Sequence, residues 1–298
     1  MMAETLLTTA RETELRGLAD ELRPELHRYC SRLTGSIIDG EDVVQDTFER
    51  AYAALDQLPD LRSLKPWLFR IAHNRALDLL RSRAVRAAEP IESAANVADA
   101  EELDPVQGLL RKEAIRTAIS RFAELPATQR GVVVMKDVLD QSLQEIASML
   151  DLTVNAVKAH LARGRARLKE INAEASVQAP PRRHSKAVEL YAELFNRRDW
   201  SALQSMLADD VRLVQSAYPP RVGASEVSMF FGIYSRSDPV RLIPAWLERR
   251  EVLAVFDEAH MDKPAYFMWL RWVDGRISFI RDYRHLSYMM NDAELLVG

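Results

Sequence analysis

Apolar positions early in the chain recur at three- and four-residue intervals, the period of a helix that buries one face. Leu15, Leu18, Leu22, Leu26, Tyr29 and Leu33 predict a helix within 11–35, and Val43, Val44, Phe48, Tyr52 and Leu55 a second over 39–55. Leu109, Leu110, Ala114, Ile115, Ala118, Ile119 and Phe122 continue the pattern over 107–122 until Leu125-Pro126 breaks it. Ser142 followed by Glu145 is a capping box opening a helix with Ile146, Ala147 and Leu150 inside. A short turn at Asp151-Leu152 leads to Thr153, a good N-cap for a helix that buries Val154, Val157, Leu161 and Leu168.

Beyond about residue 184 the period changes. A helix pair (Val188, Tyr191, Leu194 and Phe195, then Trp200, Leu203 and Leu207) gives way to runs rich in β-branched and aromatic residues. VRLVQSAY, EVLAVFD, AYFMWLRWVDG and RISFIRDYRHLSYM read as strands, with a hairpin at Asp274-Gly275. Residues 87–106 and 173–183 carry no such pattern and read as linkers.

Charge changes the picture more than composition does. The 298-residue chain is 48% hydrophobic with a net charge of −4, a balance that does not by itself suggest a nucleic-acid partner. The sign is segregated, however. Asp39 to Asp60 hold seven carboxylates and one arginine, Arg62 to Arg86 seven cations and one acid, and 87–105 six acids and no cation. An acidic helix followed by a basic one points to two partners on two surfaces. The single cysteine, Cys30, excludes an intramolecular disulfide and a cysteine-cluster metal site, and no glycine spacing makes a phosphate loop. No run of eighteen apolar residues and no basic leader is present, so the expectation is a cytoplasmic chain that makes no membrane contact.

The helix-turn-helix pattern at 142–170 carries the clearest chemistry. Opposite the buried side of its second helix stand Asn155, Ala156, Lys158, Ala159 and Arg163, small or hydrogen-bonding groups suited to base edges in a major groove. Arg165, Arg167 and Lys169 are expected to hold phosphates, which position a protein without specifying sequence. Trp67, beside Phe69 and Ile71 in the basic helix, is expected in the core rather than on a base.

EDVVQDTFERAY followed by PWLFRIAHNRALDLLR resembles region two of bacterial sigma factors of the extracytoplasmic-function group. LPATQRGVVVMKDVLDQSLQEIASMLDLTVNAVKAHLARGRARL resembles region four of the same group. The resemblance implies a subunit that directs RNA polymerase to promoters, its partners being core polymerase and promoter DNA. It places Asp42, Gln45, Asp46 and Glu49 on the helix that meets the clamp helices of the largest subunit. It places Arg62, Lys65, Asn74, Arg75, Arg81 and Arg83 at the downstream promoter element. Thr153, Asn155, Ala156, Lys158, Ala159, Arg163, Arg165 and Arg167 fall at the upstream one. The chain departs from the pattern at Asp151, where glycine is usual, and at His73 and His160, where arginine is common.

Residues 184 to about 292 resemble the SnoaL-like, ketosteroid-isomerase-type cone fold through NRRDW, LADDVRL and DGRISFIRDYR. Such a cone implies a pocket that invites catalysis or a small-molecule ligand, with Asp210, Asp282 and His285 as candidate polar groups and Trp200, Tyr218, Tyr234 and Trp246 as lining; the competing reading is a protein-contact surface that restrains the two helical modules. Asp210 has a plainer reading as the close of a helix-to-strand turn, and Asp282 as a partner of Arg281 or Arg284.

The expected fold is multidomain: two all-α modules, 1–86 and 107–172, an acidic linker 87–106 between them, a linker 173–183, and an α+β cone-shaped regulatory domain at 184–298. The expected function is a sigma factor regulated in cis by its C-terminal domain, not an enzyme, with no cofactor and no metal. Two other classes compete with it. One is a ligand-responsive helix-turn-helix regulator that never joins polymerase; the other is a ketosteroid-isomerase-like enzyme with a DNA-binding arm. Neither gives the acidic-then-basic pair at 39–83 a task.

Overall fold

The computed structural model describes residues 17, 20–54, 64–87, 119–173 and 183–297, apart from 217, 235–238, 249 and 294. Arg62, most of both linkers and the start of the 107–122 helix lie outside the described residues. The chain divides into two compact units, Met1–Val177 and Gln178–Gly298.

In the first unit, α1 (20–34) ends at Gly35, whose positive φ of 77° no β-carbon favours. Ser36 then caps α2 (Ile37–Ala53) by accepting from the Asp39 N–H at 3.2 Å. The apolar stripe of α2 packs on α3 (Leu64–Ala87), burying Val44, Phe48, Leu68, Phe69 and Ala72. Then come α4 (Ile119–Phe122), α5 (Ala127–Val133), one π-helical turn (Val134–Val138), α6 (Leu143–Leu150) and α7 (Val154–Ala173). Both helical modules share one core, in which Leu26, Tyr29 and Phe69 from the first and Val132, Met135 and Ile146 from the second belong to one buried cluster.

Arg130 on α5 joins the two modules. Its guanidinium, buried with the rest of the side chain, donates to the Leu33 carbonyl at the end of α1 and, at 2.7 Å each, to the carbonyls of Ala123 and Leu125. One cation thus satisfies several helix-end acceptors that have no helical partner. Gly35 lets α1 approach closely here: a β-carbon on it would lie 2.7 Å from that of Ala123.

The second unit opens with α8 (Lys186–Asn196) and α9 (Trp200–Ser205), followed by β1 (Leu207–Gln215), β2 (Tyr218–Val222) and α10 (Ala224–Tyr234). Strands β3 (Val240–Leu247), β4 (Arg250–Asp257), β5 (Tyr266–Val273) and β6 (Arg276–Asp282) come next, then a 3-10 turn (Ser287–Asn291) and a short β7 (Leu296–Val297). The sheet order is β2-β1-β6-β5-β4-β3-β7, with β1 and β6 parallel and the other pairs antiparallel. The helices and the inner sheet face enclose one apolar core that includes Tyr191, Phe195, Phe230, Phe231, Leu253, Met268 and Ile280. The expected hairpin is present, with Asp274 and Gly275 both at positive φ (49° and 76°) as a two-residue turn requires. Helix α10 and strand β3 are additions to the sequence reading. In α10, Val227, Phe230, Phe231 and Tyr234 are buried, but Met229 stands outside, which blurs the helical period.

Candidate functional site

The helix-turn-helix forms as its local signals require. Ser142 accepts from Glu145 N–H at 3.2 Å while the Glu145 carboxylate accepts from Ser142 N–H at 2.8 Å, and these bonds hold that carboxyl below its ordinary range. Asp151, where glycine is usual, takes the left-handed conformation at φ 56°, one that a short polar side chain tolerates. Thr153 accepts from Ala156 N–H at 3.1 Å and starts α7. On α7, Asn155 and Lys158 are exposed, Ala156 and Ala159 are half-buried beside them, and Arg163 reaches His160 at 3.4 Å.

Arg165 departs from its expected place on the phosphate side. It is buried, and two of its N–H groups donate to the two carboxylate oxygens of Asp137, at 2.9 and 2.6 Å. The reason is periodicity: Arg165 lies four residues after Leu161 and three before Leu168, on the stripe that α7 turns inward. Arg167 and Lys169 do face solvent. Arg167 pairs with Glu170 at 2.9 Å, a surface contact that costs little to exchange.

Helix α2 turns Asp42, Asp46 and Glu49 to one side, while Asp39 and Glu41 are buried. Asp42 and Glu49 are exposed, Gln45 and Asp46 half-exposed, and Gln45 donates to Glu49 at 3.1 Å. Between α2 and α3 lies a groove of about 360 Å³ lined by Asp42, Val43, Asp46, Arg75, Asp78 and Leu79. Several cations of the basic stretch are tied back to acids. Arg75 bonds Asp46, Arg83 donates to Asp39 at 2.6 Å, and Lys65 meets Glu25 at 2.8 Å. Arg81, although 3.0 Å from Asp78, keeps 71% of its side chain exposed, and Asn74 is exposed. Trp67 is half-buried against the core. His73, at a position where arginine is common, is buried, with Nδ1 2.7 Å from the Tyr29 hydroxyl. Burial, aided by the nearby Arg81 charge, pushes it down to about 4, so it is neutral at neutral pH.

The seven pocket residues expected in the second unit do not converge as a set. Asp282 and Tyr234 do meet, in a buried polar cluster with Gln215 and Tyr266 that the sequence reading did not foresee. Gln215 Nε2 donates to Asp282 at 2.6 Å, the Arg284 N–H donates to it at 3.0 Å, and the Tyr234 hydroxyl donates at 3.4 Å while contacting the Tyr266 hydroxyl at 2.8 Å. Burial pushes the Asp282 carboxyl up to about 6, these donors opposing it. Trp200 packs on Phe195 and Phe231 in the adjacent core. Asp210 is exposed on β1, Tyr218 meets an exposed His285 at 5.4 Å, and Trp246 stacks on His184. These four stand apart from Asp282 because alternation along the strands and the turns between them send their side chains elsewhere. Among the described residues, no group of three or more His, Cys, Asp or Glu is placed to hold a metal ion, and no helix is long and apolar enough to cross a membrane.

An acidic helix, a basic helix and a capped helix-turn-helix around one core define a helical DNA-binding transcription protein. Residues 18–86 match the Sigma-70 region 2 family and residues 115–168 the Sigma-70, region 4 family. The chain is 39% identical over 137 residues to the RNA polymerase sigma factor CnrH of Cupriavidus metallidurans, covering 44% of this chain and 71% of that one. It is 32% identical over 162 residues to the ECF RNA polymerase sigma factor SigL of Mycobacterium tuberculosis, covering 54% and 90%. The solved structure of the extracytoplasmic function sigma factor SigJ of Mycobacterium tuberculosis aligns at 19% identity over 88% of this chain and 94% of that one, with a TM-score of 0.33. The chain belongs to the extracytoplasmic-function group of RNA polymerase sigma factors. Both family matches lie within the first unit; the second is a C-terminal α+β extension.

Proposed function

We propose that this sigma factor meets the clamp helices of core polymerase through Asp42, Gln45, Asp46 and Glu49. It reads the downstream promoter element through Asn74, Arg75 and Arg81, with Arg62, Lys65 and Arg83 beside them. It reads the upstream element through Thr153, Asn155, Ala156, Lys158, Ala159, Arg163 and Arg167. Residues 1–86 and 107–172 are the two recognition modules, and 184–298 tunes their activity from the same chain. The chain acts in the cytoplasm by binding, making and breaking no bond. The observation that carries this reading is the outward face of Asp42, Asp46 and Glu49 on α2 beside a basic helix, together with a capped recognition helix that turns Asn155 and Lys158 outward. A polyanionic partner cannot use the first face, and a protein with a basic surface can.

In vitro transcription with core polymerase on a library of randomised promoters tests it. Specific initiation by the full chain, or by residues 1–177, is the expected result, and their ratio gives the sign of the C-terminal effect. Initiation by neither sinks the assignment of these surfaces. Equal output from both sinks regulation in cis.

A second reading concerns a small-molecule ligand. Tyr191 is fully buried, its hydroxyl has no hydrogen-bond partner among the described residues, and the charge of Asp282 adds to burial in raising it. A ligand that supplies that partner would raise the unfolding temperature of the second unit in a thermal-shift screen, and Tyr191→Phe would abolish the response.

A further inference from the structure

The outer face of the C-terminal sheet, opposite the core that holds Asp282, carries a different chemistry. Strands β5 and β6 pair Met268 with Asp282 and Leu270 with Ile280 on the inner side. The intervening pairs, Trp269 with Arg281 and Arg271 with Phe279, therefore belong to the outer side. Strand β1 extends the second row by setting Arg212 beside Phe279. Guanidinium groups lie over the rings: Arg250 is 5.7 Å from the Trp269 centroid and Arg271 5.2 Å from that of Phe279. The two rings meet edge to face at 5.8 Å.

Both rings are half-buried, and Arg212 and Arg271 are exposed. None of these outer positions holds a carboxylate. Asp210, two residues before Arg212, and Asp274, in the β5–β6 turn, bound the patch. Docking of a second copy through this face would set arginine against arginine. An uncharged apolar partner would have to strip the guanidinium groups from the rings.

What fits is a polyanion that also offers flat apolar faces. Phosphates meet the arginines, while unpaired bases take the ring faces or stack on guanidinium planes. A duplex hides its base faces and would use only the charges. We propose that this outer face is a platform for single-stranded nucleic acid. The proposal goes beyond promoter recognition and does not depend on it, because a homopolymer without promoter sequence is an adequate probe.

The test is a fluorescence-anisotropy titration of the full chain against an oligodeoxythymidylate of about 16 nucleotides. Trp269→Ala with Phe279→Ala is expected to weaken binding about thirtyfold or more, each lost base–aromatic stack being worth roughly five- to hundredfold. Arg212→Glu with Arg271→Glu should weaken it about tenfold or more and flatten the salt dependence by roughly 1.4 in slope, for two lost phosphate contacts. The charge-matched control, Lys186→Glu at the start of α8 with Arg197→Glu at its C-cap, should bind as the natural chain does. If loss of both rings impairs folding, the arginine pair, exposed at both positions, decides. Natural affinity in the arginine pair variant overturns the proposal. So does a duplex of the same length bound as tightly with the same dependence on both variants. Polyglutamate competing as well as the oligonucleotide would make the face a site for acidic protein and would overturn it too.

Discussion

In the first unit the buried carboxylate of Asp137 faces a guanidinium that fills both of its oxygens; in the second, the equally buried Asp282 has an amide, a hydroxyl and a backbone N–H. Burial raises Asp282 to about 6, because neutral donors offset only part of the cost of keeping a carboxylate out of water. The first unit also buries a base, His73, whose pKa moves down to about 4 for the same desolvation reason. These two groups therefore bias their units' responses to acid in opposite directions, and the sign depends on whether the group that loses its charge is an acid or a base.

The largest expected effect comes from breaking the paired site. Arg165→Ala leaves Asp137 buried without its cation and should destabilise the first unit by about 3–5 kcal/mol. The measurement is urea unfolding followed through Trp67, the single tryptophan of Met1–Val177. Asp137→Leu with Arg165→Met should recover much of that loss. If the double variant is no more stable than the single one, the attribution to an unpaired charge is wrong.

Next in size is the pH response of the first unit. Between the ordinary 6.5 and about 4, unfolded His73 binds a proton that the native state refuses, so stability rises with pH in that window. The contribution is present above 6.5 and lost as pH falls toward 4, amounting to roughly 3 kcal/mol. His73→Gln should flatten this segment of the stability curve, and an NMR titration of the ring should show a midpoint near 4. A midpoint near 6.5 would contradict the burial of the imidazole.

Asp282 supplies the opposite slope, of similar or slightly smaller size. From the ordinary 3.8 to about 6 the native carboxyl holds a proton that the unfolded one has released, so stability falls as pH rises. Asp282→Asn should therefore gain on the natural chain by roughly 3 kcal/mol between pH 4 and 7 in the second unit's unfolding transition. A difference independent of pH would show that Asp282 is ionised throughout. The smallest effect sharpens the contrast from the surface: Arg167→Ala, which breaks only the exposed pair with Glu170, should change stability by under about 1 kcal/mol.

Much of the helical half was legible because its signals are local. The capping box at Ser142 and Glu145, the Thr153 cap and the outward set at Asn155 and Lys158 depend on residues within two turns of one another. Arg165 was legible too, since the interval from Leu161 to Leu168 puts it on the inward stripe; its basic character drew it to the wrong side. Arg130 was not. Nothing near it announces that its guanidinium will meet carbonyls of Leu33, Ala123 and Leu125, because those acceptors come from separate helix ends.

The sequence by itself determined helices with their caps, the strand alternation, the Asp274-Gly275 hairpin and the segregation of acid from base. Each follows from backbone preferences and side-chain period over a few residues. Only the tertiary structure decided that Gln215, Tyr234, Tyr266 and Asp282, from β1, α10, β5 and β6, would surround one carboxyl while Asp210 faced solvent. It likewise placed Trp269 and Phe279 among arginines on one outer face. Strand order and register choose those neighbours, and register is set by pairing between segments far apart in the chain, where a shift of one residue would send every side chain to the other face.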